Sequence, residues 1–203
     1  MKILCVGRNY AEHVAELKNE TPEEPVIFAK PDTALLKDNA PFYIPSFTQE
    51  VHHEVEILLK ISKDGKHIAP EFAHKYFDQI GLGIDFTARD LQNKLKAKGL
   101  PWELAKAFDS SAVISPFIDK KQFADIHRLE FSLKVNDEVR QRGNTAQMIY
   151  SFEHIIAFVS KFFTLRKGDI IFTGTPKGVA AVKQGDLLEG FIQDQKMFSF
   201  YVK

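Results

Sequence analysis

The chain has 203 residues, of which 44% are hydrophobic and 27% charged, a composition typical of a globular protein with one core. Lysine plus arginine and aspartate plus glutamate both number 27, so the formal net charge is zero and gives no support to binding of nucleic acid or an anionic membrane. Cys5 is the only cysteine, which excludes an internal disulfide and fits a reducing compartment. The N-terminal apolar run is too short for a signal peptide, and no run approaches the roughly 20 apolar residues that span a bilayer. We expect one soluble, cytoplasmic domain over residues 1–203.

The first predicted elements are a short buried strand at 2–6 and a helix that Asn9 caps and that continues to Lys18, followed by a loop at 21–25. His13 and Glu16 are three residues apart, so on a helix they share one face. A carboxylate that orients an imidazole makes a general base, but this spacing is also typical of an ordinary surface salt bridge. The pair alone leaves both interpretations open.

The most informative stretch is 52–61, which predicts a strand entering the core, after shorter extended segments at 26–31 and 41–45. Side chains alternate along a strand, so Glu54 and Glu56 lie on the same face. Two neighbouring carboxylates repel each other, and a divalent cation between them would remove that repulsion. Carboxylate oxygens suit Mg²⁺, Mn²⁺ or Ca²⁺. The alternative is a solvated strand face with alternating charges.

An Asp-Gly pair at 64–65 predicts a hairpin turn, followed by a helix at 70–77 and a strand at 81–87. Asp85 stands among apolar residues of that strand, as either a buried hydrogen-bonded acid or a metal ligand. The next helix is predicted to begin at 87 and to end before Gly99. Lys106 has apolar neighbours, and its ordinary explanation is a lysine whose stem lies along apolar surface.

The remaining pattern is rich in strands. Strands are predicted at 129–135, 139–142, 169–173 and 198–202, with turns at 136–138 and 183–186 and one core-packed helix at 148–163. We therefore expect an α+β fold that is mostly β. Phosphate-loop and dinucleotide-binding motifs, zinc-ligand spacing and a serine nucleophile elbow are all absent from the sequence.

Seven short motifs occur in order along nearly the whole chain. They are Gly7-Arg-Asn-Tyr-x-x-His13, Phe28-x-Lys-Pro31, His52-His-Glu-Val-Glu56, Gly83-Ile-Asp-Phe-Thr-Ala-Arg-Asp90, Lys98-Gly-Leu-Pro-Trp102, Ala105-Lys106 and Gly168-Asp-Ile-Ile-Phe-Thr-Gly-Thr-Pro-Lys-Gly178. This series resembles the fumarylacetoacetate hydrolase family, most closely its short single-domain members. The resemblance implies a mixed β-roll or β-sandwich with a few peripheral helices, a homodimer, and one Mg²⁺ or Mn²⁺ per subunit.

The resemblance also implies roles for nine residues. They are the metal ligands Glu54, Glu56 and Asp85, the catalytic residues His13, Glu16 and Lys106, and the substrate-binding residues Arg89, Gln92 and Thr175. Larger members carry an added N-terminal domain and a further ligating aspartate ahead of the histidine. Residues 6–8 of this chain offer no carboxylate, so we expect a substrate other than fumarylacetoacetate.

The activity that the resemblance implies is metal-dependent cleavage of the C–C bond of acylpyruvates, together with decarboxylation of oxaloacetate. Both reactions would produce a pyruvate enolate that the metal stabilises. The expected partner is a small oxo acid. An isomerase of the hydroxyheptadienedioate type and a non-catalytic protein that binds dicarboxylates or metal remain as alternatives.

Overall fold

The computed structural model describes residues 1–16, 20, 22–36 and 39–203. Strands account for 38% and helices for 23%, which confirms the expected α+β, mostly β class. In chain order the strands are β1 (Ile3–Gly7), β2 (Val26–Lys30), β3 (Leu35–Leu36), β4 (Val51–His53), β5 (Val55–Ile61), β6 (Phe77–Asp85), β7 (Thr87–Ala88), β8 (Ala112–Ile114), β9 (Ile118–Asp119), β10 (Glu130–Val135), β11 (Glu138–Asn144), β12 (Ile170–Phe172), β13 (Ala180–Ala181), β14 (Leu187–Ile192) and β15 (Gln195–Tyr201). The helices are α1 (Ala11–Glu16), α2 (Pro70–Ala73), α3 (Arg89–Ala97), α4 (Glu103–Lys106) and α5 (Phe152–Phe162).

The strands form three sheets around one main core. The largest sheet has eight strands in the order β2-β1-β12-β5-β6-β8-β3, with β9 paired to β6. It is mixed, because β1 pairs in parallel with β12 and β3 with β8, whereas its other pairings are antiparallel. The second sheet has the order β11-β10-β14-β15, and the third β13-β4-β7.

A continuous apolar cluster joins the two larger sheets and receives the inner face of α5. Its members include Ile57 and Leu82 from the eight-stranded sheet, Phe131 and Phe198 from the four-stranded sheet, and Ile155 from α5. The apolar spacing of the 148–163 stretch therefore did predict core packing, although the helix itself covers only α5.

Several predicted turns and ends are confirmed. Helix α3 is followed by Gly99 in the left-handed region at φ +63°, a common way for a helix to end. The turn between β10 and β11 has Asn136 and Asp137 at φ +51° and +67°. Left-handed residues at both central positions match the twist of a tight antiparallel hairpin, which explains this local fold.

Two other predictions are wrong. The strand predicted over 52–61 is interrupted at Glu54, because β4 joins the three-stranded sheet while β5 joins the eight-stranded one. The Asp-Gly pair does not form a tight hairpin: β5 and β6 do pair, but their connection contains α2. The backbone of Gly65 instead exchanges two hydrogen bonds with Leu165, at 2.9 and 2.8 Å. Tertiary pairing here overrides the local turn preference. Strand β14, which lies between β10 and β15, was not predicted.

The predicted N-terminal helix is present as α1. Its expected continuation through Leu17 and Lys18 lies outside the described residues, as does Thr21 of the predicted loop. Within the described ranges, no helix combines the length and apolar character needed to cross a membrane.

Candidate active site

Three buried carboxylates lie together at one end of the β5–β6 pair. Glu54 stands at the break before β5, Glu56 lies within β5, and Asp85 ends β6. The antiparallel register places Glu56 opposite Gly83, and the Asp85 amide donates to the Glu54 carbonyl at 2.8 Å. As a result, one oxygen from each carboxylate lies within 4.8 Å of those of the other two. The structure thus brings the three predicted metal ligands together.

Three cations contact two of these carboxylates. Lys106 Nζ donates to Glu54 Oε2 and to Asp85 Oδ2, both at 2.7 Å. Lys30 Nζ lies 2.8 Å from Asp85 Oδ1, and the Arg89 guanidinium donates to Glu54 Oε1. Lys106 is therefore an ion-paired residue of the site, and the explanation as a lysine lying along apolar surface is wrong.

These pairings give the two glutamates opposite protonation preferences. Burial disfavours the charged form of Glu54, but the cations Lys106 and Arg89 outweigh it and hold the pKa of Glu54 well below its usual range. Burial and the carboxylates Asp85 and Glu54 raise the pKa of Glu56 well above its usual range. Among the described residues, no lysine or arginine forms an ion pair with Glu56, whose Oε2 accepts from the Gly174 amide at 2.6 Å.

Opposing effects also act on the lysine. Burial alone lowers the pKa of Lys106, but Asp85 and Glu54 outweigh it and raise that pKa above its usual range. Lys106 therefore stays charged at neutral pH and acts as a fixed cation beside the cluster.

The cluster fits an oxygen-ligated divalent cation. Glu56 is a buried acid with no ion-pair partner in the described chain, and Asp85 Oδ1 is a buried oxygen that accepts no hydrogen bond there. Lys30 Nζ lies 2.8 Å from that oxygen as its ion-pair partner, and its hydrogen bonds are to the Lys106 carbonyl and to Ser111. An all-carboxylate donor set is the kind that Mg²⁺, Mn²⁺ and Ca²⁺ prefer. Glu54, Glu56 and Asp85 would hold such an ion.

Helix α1 brings a histidine–glutamate pair to the same cavity. His13 Nδ1 lies 3.3 Å from Glu16 Oε2, and Glu16 Oε1 accepts from the Gly178 amide at 3.0 Å. Burial lowers the pKa of His13, so its imidazole is neutral near pH 7. With its Nδ1 hydrogen directed to Glu16, the ring keeps a lone pair on Nε2 that can accept a proton. The pair is thus built like a general base and its orienting carboxylate.

Asn9 holds the segment that leads into α1, and it does so without capping the helix as predicted. Its Nδ2 donates to the carbonyls of Thr173 and Tyr150 at 2.8 and 3.1 Å, and its Oδ1 accepts from the Tyr150 amide at 2.7 Å. Gly174 makes this contact possible: it has φ +101°, and a Cβ there would lie 2.6 Å from the Cβ of Asn9. The segment before α1 is therefore attached to the backbone at two separate places, Thr173 and Tyr150.

Helix α3 presents one face to the cavity. Arg89, Gln92 and Lys96 follow each other at helical spacing and all line it. Arg89 Nη1 donates to Gln92 Oε1 at 2.6 Å. On its outer side Arg89 Nε contacts His52 Nδ1 at 3.4 Å, and His52 is paired with Glu50 at 2.7 Å.

The carboxylate cluster, His13 and the inner face of α3 all line one small cavity of about 40 Å³. Eight of the nine predicted site residues line it, and the ninth, Glu16, reaches it through its hydrogen bond to His13. Arg8 and Lys96 also line the cavity but were not predicted as site residues. The helical spacing from Arg89 could have indicated Lys96. Arg8, a non-glycine residue at φ +61°, lies in the first of the seven motifs, but no role was predicted for it.

A larger groove of about 910 Å³ lies elsewhere on the surface. Phe47, Leu104 and Phe163 are among its mainly apolar lining residues, and none of the nine predicted site residues contributes to it. Lys30 and Glu103 do line this groove, but the described residues that line it include no carboxylate cluster and no histidine. The small cavity is therefore the candidate active site.

The fold and the site together define the class of protein. A mixed β-roll places a Glu-x-Glu pair, an aspartate and a histidine–glutamate pair around one cavity, as the motif series implies. Residues 2–197 match the family described as "Fumarylacetoacetate (FAA) hydrolase C-terminal". The chain belongs to this family, which confirms the resemblance found in the sequence.

Three similar proteins are named for three different reactions. It is 45% identical over 201 residues to the mitochondrial oxaloacetate tautomerase FAHD1 of Bos taurus, a match that covers 99% of this chain and 91% of the relative. It is 43% identical over 189 residues to a mitochondrial oxaloacetate decarboxylase of Dictyostelium discoideum, covering 93% and 87%. The crystal structure of fumarylpyruvate hydrolase from Pseudomonas aeruginosa in complex with Mn²⁺ and pyruvate superposes with a TM-score of 0.94 at 38% identity, covering 100% of this chain and 89% of that one.

Proposed function

We propose that this chain is a divalent-metal-dependent enzyme that interconverts the keto and enol forms of oxaloacetate and also decarboxylates it. One observation carries the proposal: a neutral, carboxylate-oriented imidazole lines the same small cavity as a buried cluster of three carboxylates. The tautomerase and decarboxylase names of relatives at 43–45% identity support this substrate. Mg²⁺ and Mn²⁺ are the ions we propose, in agreement with the Mn²⁺ bound by the Pseudomonas aeruginosa neighbour.

The proposed proton transfer uses His13 as the base. A bound divalent ion would polarise the 2-oxo group of the substrate and favour negative charge on its oxygen. Arg89 and Lys106 provide fixed positive charge for the substrate carboxylates. His13 Nε2 takes a proton from carbon 3, and the C–H electron pair moves toward the 2-oxo oxygen. Return of a proton from His13 to that oxygen completes the enol, while Glu16 stabilises the transient imidazolium.

Decarboxylation makes less use of the dyad. Loss of CO₂ from oxaloacetate leaves its electron pair in a pyruvate enolate without prior removal of a proton by His13. Arg89 and Lys106 would hold the substrate carboxylate, and a bound divalent ion would supply the further positive charge that favours the enolate. We therefore expect the two activities to respond differently to changes at His13.

A second candidate reaction is C–C hydrolysis of acylpyruvates. In that reaction His13 would deprotonate a water, which attacks the distal carbonyl, and the C–C bond would break to release a pyruvate enolate and a carboxylic acid. The His13–Glu16 contact of 3.3 Å and the likeness to fumarylpyruvate hydrolase support it. An isomerase would use the same enolate chemistry with proton transfers in place of water attack.

Turnover by metal-stripped protein tests the proposal. Oxaloacetate enolisation is followed by ultraviolet absorbance, and pyruvate is quantified from oxaloacetate and acetylpyruvate in parallel, each with and without added Mg²⁺ or Mn²⁺. Metal-dependent enolisation and pyruvate release from oxaloacetate support the proposal. Pyruvate from acetylpyruvate alone would make the second candidate the main reaction, and metal binding without turnover would favour a binding protein.

Replacing His13 separates the two oxaloacetate activities. We expect His13→Ala to lower the tautomerase rate by roughly 10²–10⁴-fold, the usual contribution of a positioned general base, and to lower decarboxylation much less. Metal affinity, measured by titration with Mn²⁺, should stay within about twofold. The reason is that, among the described residues, no hydrogen bond joins His13 to the carboxylate cluster. His74→Ala, an exposed histidine, is the matched control. Equal losses in both reactions would contradict the role of His13 as the base.

We further propose that the protein acts as a cytoplasmic homodimer that binds neither nucleic acid nor membranes. The zero net charge supports the lack of nucleic-acid and membrane binding, and the apolar groove with its exposed Phe47 and Leu104 supports self-association. Light scattering coupled to size exclusion would measure the mass. A monomer at micromolar concentration would overturn the dimer without affecting the proposed chemistry.

A further inference from the structure

Gln141 is a buried amide that the proposed chemistry does not use. It lies on β11 of the four-stranded sheet and is 1% exposed, whereas its neighbours Arg140 and Arg142 are exposed. Its side chain therefore points inward, across to the eight-stranded sheet. There it meets the residues on either side of Glu54, at the break between β4 and β5.

Four hydrogen bonds fix this amide in one orientation. Gln141 Oε1 accepts from the Val55 amide at 3.0 Å and contacts His53 Nδ1 at 2.8 Å. Its Nε2 donates to the Pro176 carbonyl and to Thr175 Oγ1, both at 2.9 Å. A backbone amide can only donate and a carbonyl can only accept, so the oxygen and nitrogen of the side chain cannot be exchanged.

The orientation of Gln141 also sets the direction of the Thr175 hydroxyl. The hydroxyl oxygen accepts from Gln141 Nε2, so its hydrogen turns to the other polar neighbour, the Val55 carbonyl, at 2.9 Å. A hydroxyl has one hydrogen and two lone pairs. Toward the cavity, Thr175 is therefore left with a lone pair only. It can accept a hydrogen bond from a ligand, but it cannot donate one to a carboxylate.

We propose that Gln141 is a positioning residue that holds both neighbours of Glu54 and makes the Thr175 hydroxyl an acceptor for the enol hydroxyl of a bound oxo acid. This inference rests on the proposed function, because an enol O–H is the donor that a 2-oxo acid gains when it tautomerises. An ionised keto acid has only acceptor oxygens, which the cations Arg89 and Lys106 suit instead. The Thr175 lone pair thus favours the enol form inside the cavity.

Two substitutions separate positioning from packing. Gln141→Glu keeps the size of the side chain but replaces its two N–H donors by an oxygen that faces the Pro176 carbonyl and Thr175. Gln141→Leu removes all four hydrogen bonds. We expect each to lower kcat/KM for enolisation by roughly 10–100-fold, as is usual for residues that support site ligands. Gln147→Glu, on the exposed surface, is the matched control and should leave activity unchanged.

The pH profile of Gln141→Glu distinguishes the two roles. When its carboxyl is protonated it can donate again to Thr175 or Pro176, so its activity relative to wild type at the same pH should rise severalfold as the pH falls. The ratio for Gln141→Leu should stay flat. A flat ratio for both variants, with both proteins folded by thermal melting, would overturn the positioning role.

Ligand binding tests the acceptor assignment without turnover. Glycolate carries a carboxylate and an O–H donor, whereas oxalate offers acceptors only. On Mn²⁺-loaded protein, Thr175→Val should weaken glycolate binding by about fivefold or more and leave oxalate binding within about twofold, as measured by calorimetry. Equal losses for both ligands would overturn the assignment. If the wild-type protein separates the two ligands but turns over no oxo acid, the proposed function fails and the acceptor assignment stands.

Discussion

The carboxylate cluster and the His13–Glu16 dyad face the same cavity, but the fold holds them in different ways. Glu56 and Asp85 belong to β5 and β6, two central strands that each have hydrogen-bonded neighbours on both sides. The dyad lies on α1, a helix of six residues. Among the described residues, side-chain hydrogen bonds hold that region through Asn9 before the helix and Glu16 at its end, and Tyr10 and Val14 are buried there.

The difference teaches which half of the site tolerates change. Carboxylates placed by strand pairing cannot separate unless the sheet opens, so their spacing is as stable as the fold. The dyad can lose its position when a few hydrogen bonds are removed while the sheet stays intact. Metal binding and proton transfer should therefore respond to different substitutions, and each of the following predictions tests that separation.

Glu56→Gln should have the largest effect, because it removes a charge from the carboxylate cluster, whose positions the sheet fixes. The amide has nearly the same shape, yet we expect affinity for Mn²⁺ to fall by about two orders of magnitude or more, since an uncompensated buried charge costs about 3–5 kcal/mol. Titration followed by electron paramagnetic resonance measures it. Glu71→Gln, on the exposed surface, is the control. An affinity within twofold of wild type would contradict the ligand assignment.

Asn9→Ala removes the side chain that attaches the segment before α1, and with it the His13–Glu16 dyad, to the rest of the fold. Two backbone carbonyls and one amide lose their buried partner, so the free energy of unfolding should fall by about 2–3 kcal/mol. Denaturant unfolding measures this loss, and exposed Asn93→Ala is the control. Tautomerase activity should fall with it, whereas Mn²⁺ affinity should not. A parallel loss of metal affinity would show that the two halves are one unit.

The pH dependence of metal binding sharpens the same comparison. At pH values below the raised pKa of Glu56, the metal-free site holds a proton there, which the ion must displace. Mn²⁺ affinity should therefore rise with pH, by up to about tenfold per unit while Glu56 titrates. Folding linkage has the matching sign: the folded state binds this proton more tightly than the unfolded chain, so metal-free protein loses stability as the pH rises from the ordinary carboxyl range toward the raised pKa. Metal affinity independent of pH would contradict this.

Lys177→Ala should have the smallest effect. Its ion pair with Glu12 joins α1 to the loop after β12 at 3.1 Å, but both side chains are more than half exposed. We expect the free energy of unfolding to change by less than about 0.5 kcal/mol, as for most surface pairs, and activity to be unchanged. A larger loss of activity would mean that this pair, and not only Asn9 and Glu16, keeps the dyad in place.

The sequence predicts the carboxylate cluster better than the residues that support it. The alternation of side chains along a strand predicted that Glu54 and Glu56 lie together, and both do line the cavity although the strand is interrupted at Glu54. Nothing local joins them to Asp85. That contact depends on the β5–β6 register, which the residue pattern does not give. The resemblance implied only that Asp85 shares a metal site with the two glutamates.

Supporting residues were missed for the same physical reason. Gln141 and Lys30 lie far along the chain from the residues they hold, and the sequence around each resembles an ordinary strand. Their roles arise only when two sheets or two distant strands come together. The prediction of a hairpin turn at Asp64–Gly65 was wrong for the opposite reason. There the local turn preference is strong, but the backbone of Gly65 pairs with the distant Leu165 instead.

The balance of formal charge among the inner residues has a consequence for the order of events. With Glu54, Glu56 and Asp85 ionised, the cations Lys30, Lys106 and Arg89 cancel them, and with Glu56 protonated, as its raised pKa favours in the metal-free site, one positive charge is left over. In both cases this set alone attracts a dicarboxylate less strongly than two positive charges would. A divalent ion would give the same set a positive charge equal in size to that of a doubly ionised substrate. Loading of the ion would then precede binding of substrate, and release of a product with fewer charges would leave the ion behind for the next cycle.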